Sequence, residues 1–105
     1  MSKRVHFVVT SVLGKKIEVS NTYWQYIVSF KHPSIRRREK EVKQTLIAPN
    51  IVKKSQTDQK VLLYYGKYNN RTMCVAAKHL NGSGFVITAY WANKIKKGEI
   101  IWPEK

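Results

Sequence analysis

The spacing of apolar and polar positions changes along this chain, and each change predicts an element. The most regular stretch is Gly84 to Ala92 (Gly-Phe-Val-Ile-Thr-Ala-Tyr-Trp-Ala), a β-branched and aromatic run behind the turn-forming Leu80-Asn81-Gly82-Ser83. It reads as a strand after a tight connection. Successive side chains of a strand point to opposite faces. Strict alternation therefore puts Phe85, Ile87, Ala89 and Trp91 on one apolar face, expected to look into a core. Val86, Thr88 and Tyr90 share the other, where a hydroxyl and a phenol stand side by side. Val61 to Tyr68 and Arg71 to Leu80 are two further strand-like runs joined by Tyr68-Asn69-Asn70-Arg71, so the three form an antiparallel meander. Ile51 to Lys54 and Ile100 to Trp102 are shorter candidates for strands, and Asn93 to Glu99 is a basic loop or a single helical turn.

The N-terminal half begins with Arg4 to Thr10 and Lys15 to Val19, two short strands around Leu13-Gly14, where glycine supplies the positive φ of a hairpin turn. From Ser20 to Lys31 the spacing becomes helical: Trp24, Ile27 and Val28 share a face, flanked by Tyr23 and Phe30. Thr22, followed three residues later by Gln25, fits a capping box. Pro33 ends this helix, because the residue before a proline avoids the helical conformation, and His32 falls at the helix-to-loop junction. A second helix is expected from Ser34 or Ile35 to Ala48, stopped by Pro49-Asn50, with Ile35, Val42, Leu46 and the aliphatic stem of Glu39 facing inward. Helices followed by consecutive strands predict an α+β fold. Its expected form is two N-terminal helices, preceded by a short hairpin, packed on one face of a curved antiparallel sheet of four to five strands. Residues 1–105 read as a single domain without repeats, linkers or low-complexity segments.

Charge adds what the pattern does not show. Twenty Lys and Arg against six Asp and Glu give a net charge of +14, beyond the charge of about 2 to 8 that solubility asks of a small domain. From Lys60 to Lys97 seven basic residues and no acidic one occur. Such an imbalance points to a polyanion, and nucleic acid is the expected partner rather than membrane. The cluster Arg36, Arg37, Arg38, Lys40 and Lys43 is either a solvated helix face paired with Glu39 and Glu41 or a phosphate contact. The single cysteine, Cys74, excludes an internal disulfide framework and reads as a small buried hydrophobe in a strand. No apolar run approaches the roughly 18 residues of a membrane span and no signal-peptide core follows the basic N-terminus, so a cytoplasmic protein is expected.

His6, His32 and His79 are widely separated, without metal-ligand spacing, so neither a metal nor another cofactor is expected. No pair of acids suits two-metal or glycosidic chemistry, and neither a glycine-rich phosphate loop nor a Gly-x-Ser-x-Gly elbow occurs. A basic domain poor in acids can still cleave RNA, because the 2′-hydroxyl is the nucleophile and the protein need only move protons and stabilise the phosphorane-like transition state. The candidates are His32, Tyr65, Lys67, Lys78, Thr88 and Tyr90 for catalysis. Arg36, Arg37, Arg71, Lys94, Lys96 and Lys97 are candidates for binding nucleic acid. Each also has a structural reading: a packed tyrosine, an ordinary strand threonine, an exposed histidine.

Several short blocks occur in an order that resembles the phage and bacterial nuclease-like branch of the barnase–EndoU–colicin–RelE group. They are Gly14-Lys15-Lys16, Trp24-Gln25-Tyr26-Ile27, Lys31-His32-Pro33, Thr45-Leu46-Ile47-Ala48-Pro49-Asn50-Ile51, Tyr64-Tyr65, Ile87-Thr88-Ala89-Tyr90 and Lys97-Gly98-Glu99-Ile100-Ile101-Trp102. The resemblance spans most of the chain from Gly14 onward. It implies a small α+β fold and a metal-independent ribonuclease or related toxin. In it His32 matches a His-Pro motif, Tyr65 a Tyr-Tyr strand, and Thr88 and Tyr90 a Thr-Ala-Tyr strand. The chain departs from the pattern at Tyr26 and Ser34, where histidine and glutamate are usual, and at Gly66, which precedes Lys67 where an arginine often follows the tyrosines. The resemblance also implies RNA as substrate, including ribosome-bound mRNA or tRNA, and an acidic antitoxin or immunity protein as partner. A non-catalytic RNA- or DNA-binding module with the same basic surface is the alternative, and a structural or host-interaction protein that meets an acidic partner is the third.

Overall fold

The computed structural model describes residues 4–104, so the basic start of the chain before Arg4 lies outside the described residues. Val5–Thr10 (β1) and Lys16–Ser20 (β2) pair antiparallel, and Gly14 takes φ +79° in the connection. Ser20 ends β2 and also caps the first helix (α1, Asn21–Tyr26), its Oγ accepting from the Tyr23 amide at 3.1 Å. The cap is therefore Ser20 and not the expected Thr22–Gln25 box. The helix continues as a π-helical turn, Ile27–Lys31, closed by the His32 N–H donating to the Ile27 carbonyl at 2.8 Å. A 3₁₀ turn, Pro33–Ile35, follows. The second helix (α2) covers only Glu39–Ile47, since the chain after Pro33 spends its first residues in that turn.

Ile51–Lys54 (β3), Val61–Tyr68 (β4), Arg71–His79 (β5), Ser83–Ala92 (β6) and Ile100–Trp102 (β7) complete a seven-stranded sheet of order β1-β2-β6-β5-β4-β3-β7. This corrects the expected curved antiparallel sheet of four to five strands with two helices on one face: the sheet is mixed and has seven strands, and the two helices are short. Two long-range pairings make the difference. The N-terminal hairpin joins the sheet through a parallel contact of Lys16–Glu18 with Ser83–Phe85, and β7 adds to β3 at the far edge. Alternation along a strand carries no information about such partners.

The helices cover one face. Trp24, Ile27, Val28, Ile35, Val42 and Leu46 are buried there with Tyr64, Met73, Val75, Val86 and Ala89 of the sheet. His6 braces this layer, stacking on Trp24 at 5.3 Å and bonding Glu39 at 2.6 Å and Asn21 at 2.9 Å. The head of Glu39 is thus held by His6 and Lys43, and the residue is more than an aliphatic stem. The opposite face has its own smaller core of Val61, Leu63, Tyr65, Cys74 and Ala76.

The spine strand β6 departs from strict alternation. Ala76 faces Thr88 but Ala77 faces Val86, which leaves Ile87 as the extra residue of a bulge. One inserted residue reverses which side chains point where. Phe85, expected in the core, is consequently 40 % exposed on the side of Thr88 and Tyr90, while Val86 is buried toward the helices. Ala89 and Trp91, beyond the bulge, do face the helix side. Among the described residues no helix is long and apolar enough to cross a membrane.

Candidate functional site

On the face away from the helices, register places the side chains in rows across β4, β5 and β6. Tyr65, Cys74 and Tyr90 form one row, and Leu63, Ala76 and Thr88 the next. Lys67, Thr72 and Ala92 lie beyond the tyrosine row, and Val61, Lys78 and Phe85 beyond the threonine row. Strands are about 4.8 Å apart and alternate residues roughly 6.8 Å, so two phenols and a threonine fall within one small area. Cys74 lies between the two tyrosines in their row. Its burial raises its own pKa, so it serves as a packed thiol rather than a nucleophile.

His32 reaches this face around an edge. β2 pairs with β6 only as far as Phe85, because Ser20 turns the chain into α1. From Val86 onward the outer side of β6 meets the π-helical and 3₁₀ turns. Lys31 Nζ lies 3.4 Å from the Ile87 carbonyl there and 3.5 Å from the Tyr23 hydroxyl. The next residue, His32, lays its ring against Tyr90, with centroids 5.3 Å apart and 30° between the planes. Of the three histidines, His6 is engaged by Glu39 and Asn21, and His79 by the Tyr64 hydroxyl at 2.9 Å on the helix side. His32 alone faces the tyrosine row, and it makes no side-chain hydrogen bond among the described residues.

Electrostatics assign these groups different roles. Burial, and then the neighbouring Lys31, lower the His32 pKa below its usual 6.5, so the imidazole is neutral and able to accept a proton near pH 7. Burial pushes Tyr65 up to about 12, against the Lys96 amide that donates to its oxygen at 3.1 Å. Burial raises Tyr90 as well. Both phenols therefore keep their protons and act as donors. Thr88 Oγ1 is buried without a hydrogen-bond partner in the protein, a condition that costs about 1–3 kcal/mol.

The loop Asn93 to Glu99 leaves β6 and crosses this face to β7. Lys96 anchors it on Tyr65, and the Glu99 carbonyl accepts from the Lys54 amide at 2.8 Å. Gly98 packs directly on the Lys54 carbonyl, where a Cβ would have no room. The loop both shelters the second core and presents Lys94, Lys96 and Lys97 exposed at its margin.

The structure thus brings His32, Tyr65, Thr88 and Tyr90 together and sets Lys67 one row from Tyr65. Lys78 stands two rows from the tyrosines with its ammonium 3.5 Å from Asp58. Arg71 is on the other face, its guanidinium 3.9 Å above the Trp91 ring, beside Arg38 at 5.9 Å. Arg36 and Arg37 are exposed after the 3₁₀ turn, and Arg36 reaches the Val28 carbonyl at 3.5 Å. Sequence reasoning missed Lys31, whose partner is 56 residues away, and the place of Cys74 between Tyr65 and Tyr90, which only register reveals. Among the described residues no group of three or more His, Cys, Asp or Glu could hold a metal ion. Comparison with protein families, with curated proteins and with solved structures found no match to this chain.

Proposed function

We propose that this protein is a metal-independent endoribonuclease of toxin type. The observation that carries the reading is the convergence of His32, from the first helical segment, on Tyr90, Thr88 and Tyr65 in two adjacent rows of β4 and β6. Neutral His32 takes the proton of a ribose 2′-hydroxyl, whose oxygen attacks the adjacent phosphorus. The bond from phosphorus to O5′ breaks, giving a 2′,3′-cyclic phosphate and a 5′-hydroxyl, and a phenol, Tyr90 foremost, supplies the proton to O5′. Lys67 and the lysines of the crossing loop hold the flanking phosphates. An acidic antitoxin laid over the same face would neutralise it.

A second reading, a binding module without catalysis, draws on the Tyr65 hydroxyl's existing bond with the Lys96 amide and on the packing of Tyr65 and Tyr90 about Cys74. Purified protein with single-stranded RNA in EDTA separates the two, comparing wild type with His32→Ala and Thr88→Val, and a translating extract extends the test to ribosome-bound RNA. Cyclic-phosphate ends that vanish in a variant still able to bind RNA are the expected result. RNA left intact at high protein in both settings, with salt-sensitive binding retained, would sink the enzyme.

A further inference from the structure

The first helical segment carries apolar surface that the fold does not use. Tyr26 is 47 % and Phe30 77 % exposed, although Trp24, Ile27 and Val28 of the same segment are buried. Their rings are 5.9 Å apart, and Tyr26 is 5.7 Å from Tyr23, so the three make a continuous ladder. Lys31 Nζ stands 5.8 Å from the centroids of both Tyr23 and Tyr26. Exposed aromatics interleaved with a cation are what sequence-tolerant stacking of nucleobases requires.

Position strengthens the point. Lys31 bonds the carbonyl of Ile87, the residue before Thr88, and precedes His32, so the ladder starts where the catalytic cluster ends. A groove of about 410 Å³ lies beside it, lined by Glu18, Val19, Ser20, Tyr23, Phe85 and Val86. Phe85 is on its wall only because the β6 bulge turned that ring outward. Glu18, also on the wall, disfavours a phosphate there, so the groove suits a base while the backbone runs on the Lys31 side.

We propose that Tyr23, Tyr26 and Phe30 form a stacking subsite for unpaired bases of the RNA flanking the cleaved bond, with Lys31 on the intervening phosphate. The inference rests on the ribonuclease reading and gives it a substrate class: single-stranded RNA, since bases in a duplex cannot reach the rings.

The test uses a fluorescent 2′-O-methyl single strand, which 2′-attack cannot cleave, and a duplex of the same sequence, titrated against the whole protein. Tyr26→Ala and Phe30→Ala are each expected to weaken the single strand by about 5- to 150-fold and to leave the duplex unchanged, and Phe30→Trp is expected to restore affinity. Variants that bind the single strand as tightly as wild type overturn the subsite and mark the ladder as a protein-docking face, leaving cleavage untouched. Equal losses on both probes overturn it too. Wild type that binds and responds as expected but never cleaves RNA sinks the ribonuclease reading alone. Wild type that binds no RNA overturns both.

Discussion

His32 shows how much one residue's neighbours decide. Its place at the end of a helix follows from Pro33, but its contact with Tyr90 and its lowered pKa depend on the sheet edge and on Lys31. The pH consequence has a definite sign. A base with a folded pKa below 6.5 is more than half deprotonated at 6.5, so the acid limb of the cleavage profile should have its midpoint below that value. Initial rates from pH 4.5 to 8 check this, and an acid limb centred at or above 6.5 would remove His32 as the base. The same shift affects stability. The unfolded chain protonates His32 more readily than the folded one, so this contribution is complete above about 6.5 and is lost as pH falls through the lowered folded value. His79, also lowered, first by burial and then by Lys15, acts in the same direction.

At the scale of elements, the crossing loop and the β6 bulge determine what the open face can do. The loop is held by backbone contacts rather than by an apolar anchor, and Gly98 makes its closest approach to β3. Gly98→Ala should therefore lift the loop from the sheet. Loss of hydrogen-exchange protection at the Lys96 amide, with the amides of β5 unchanged, is the expected outcome, and unchanged protection at Lys96 would show that the loop adapts. The bulge explains why alternation was correct for Ala89 and Trp91 and reversed for Phe85. Its one extra residue leaves no periodic trace in a run where every residue is β-branched, aromatic or small. The helices were legible from Trp24, Ile27, Val28, Val42 and Leu46, whereas their ends were not. Ser20 could act as a cap only because β2 stops pairing there, and α2 starts late because the chain first turns at Pro33.

For the whole molecule, charge is the dominant property. Glu39, Glu41, Asp58 and Glu99, four of the six acids, are committed to ion pairs, and among the described residues the Lys and Arg side chains other than Arg38, Lys43, Lys54 and Lys78 stand without an acidic partner. Most of the acids that could moderate the field are already used, and the remaining cations surround the helical turn and the crossing loop as well as the sheet. RNA affinity should accordingly fall by about 50-fold between 50 and 200 mM salt if roughly four phosphates of a single strand are neutralised. Anisotropy titrations at several salt concentrations measure this, and a slope near zero would remove the polyanion as partner.

What the sequence by itself determined was local: the meander, the N-terminal hairpin, the two helical segments, the buried thiol and the excess of positive charge. These follow from side-chain periodicity, turn residues and composition, which act over a few positions. Tertiary structure decided the rest. It joined the hairpin to the start of β6 in a parallel pairing, added β7 beside β3, and turned Phe85 outward. It also carried His32 around an unpaired strand edge to Tyr90. Each depends on contacts between residues tens of positions apart, where several partners satisfy the same local pattern and only the packing of the complete sheet selects one.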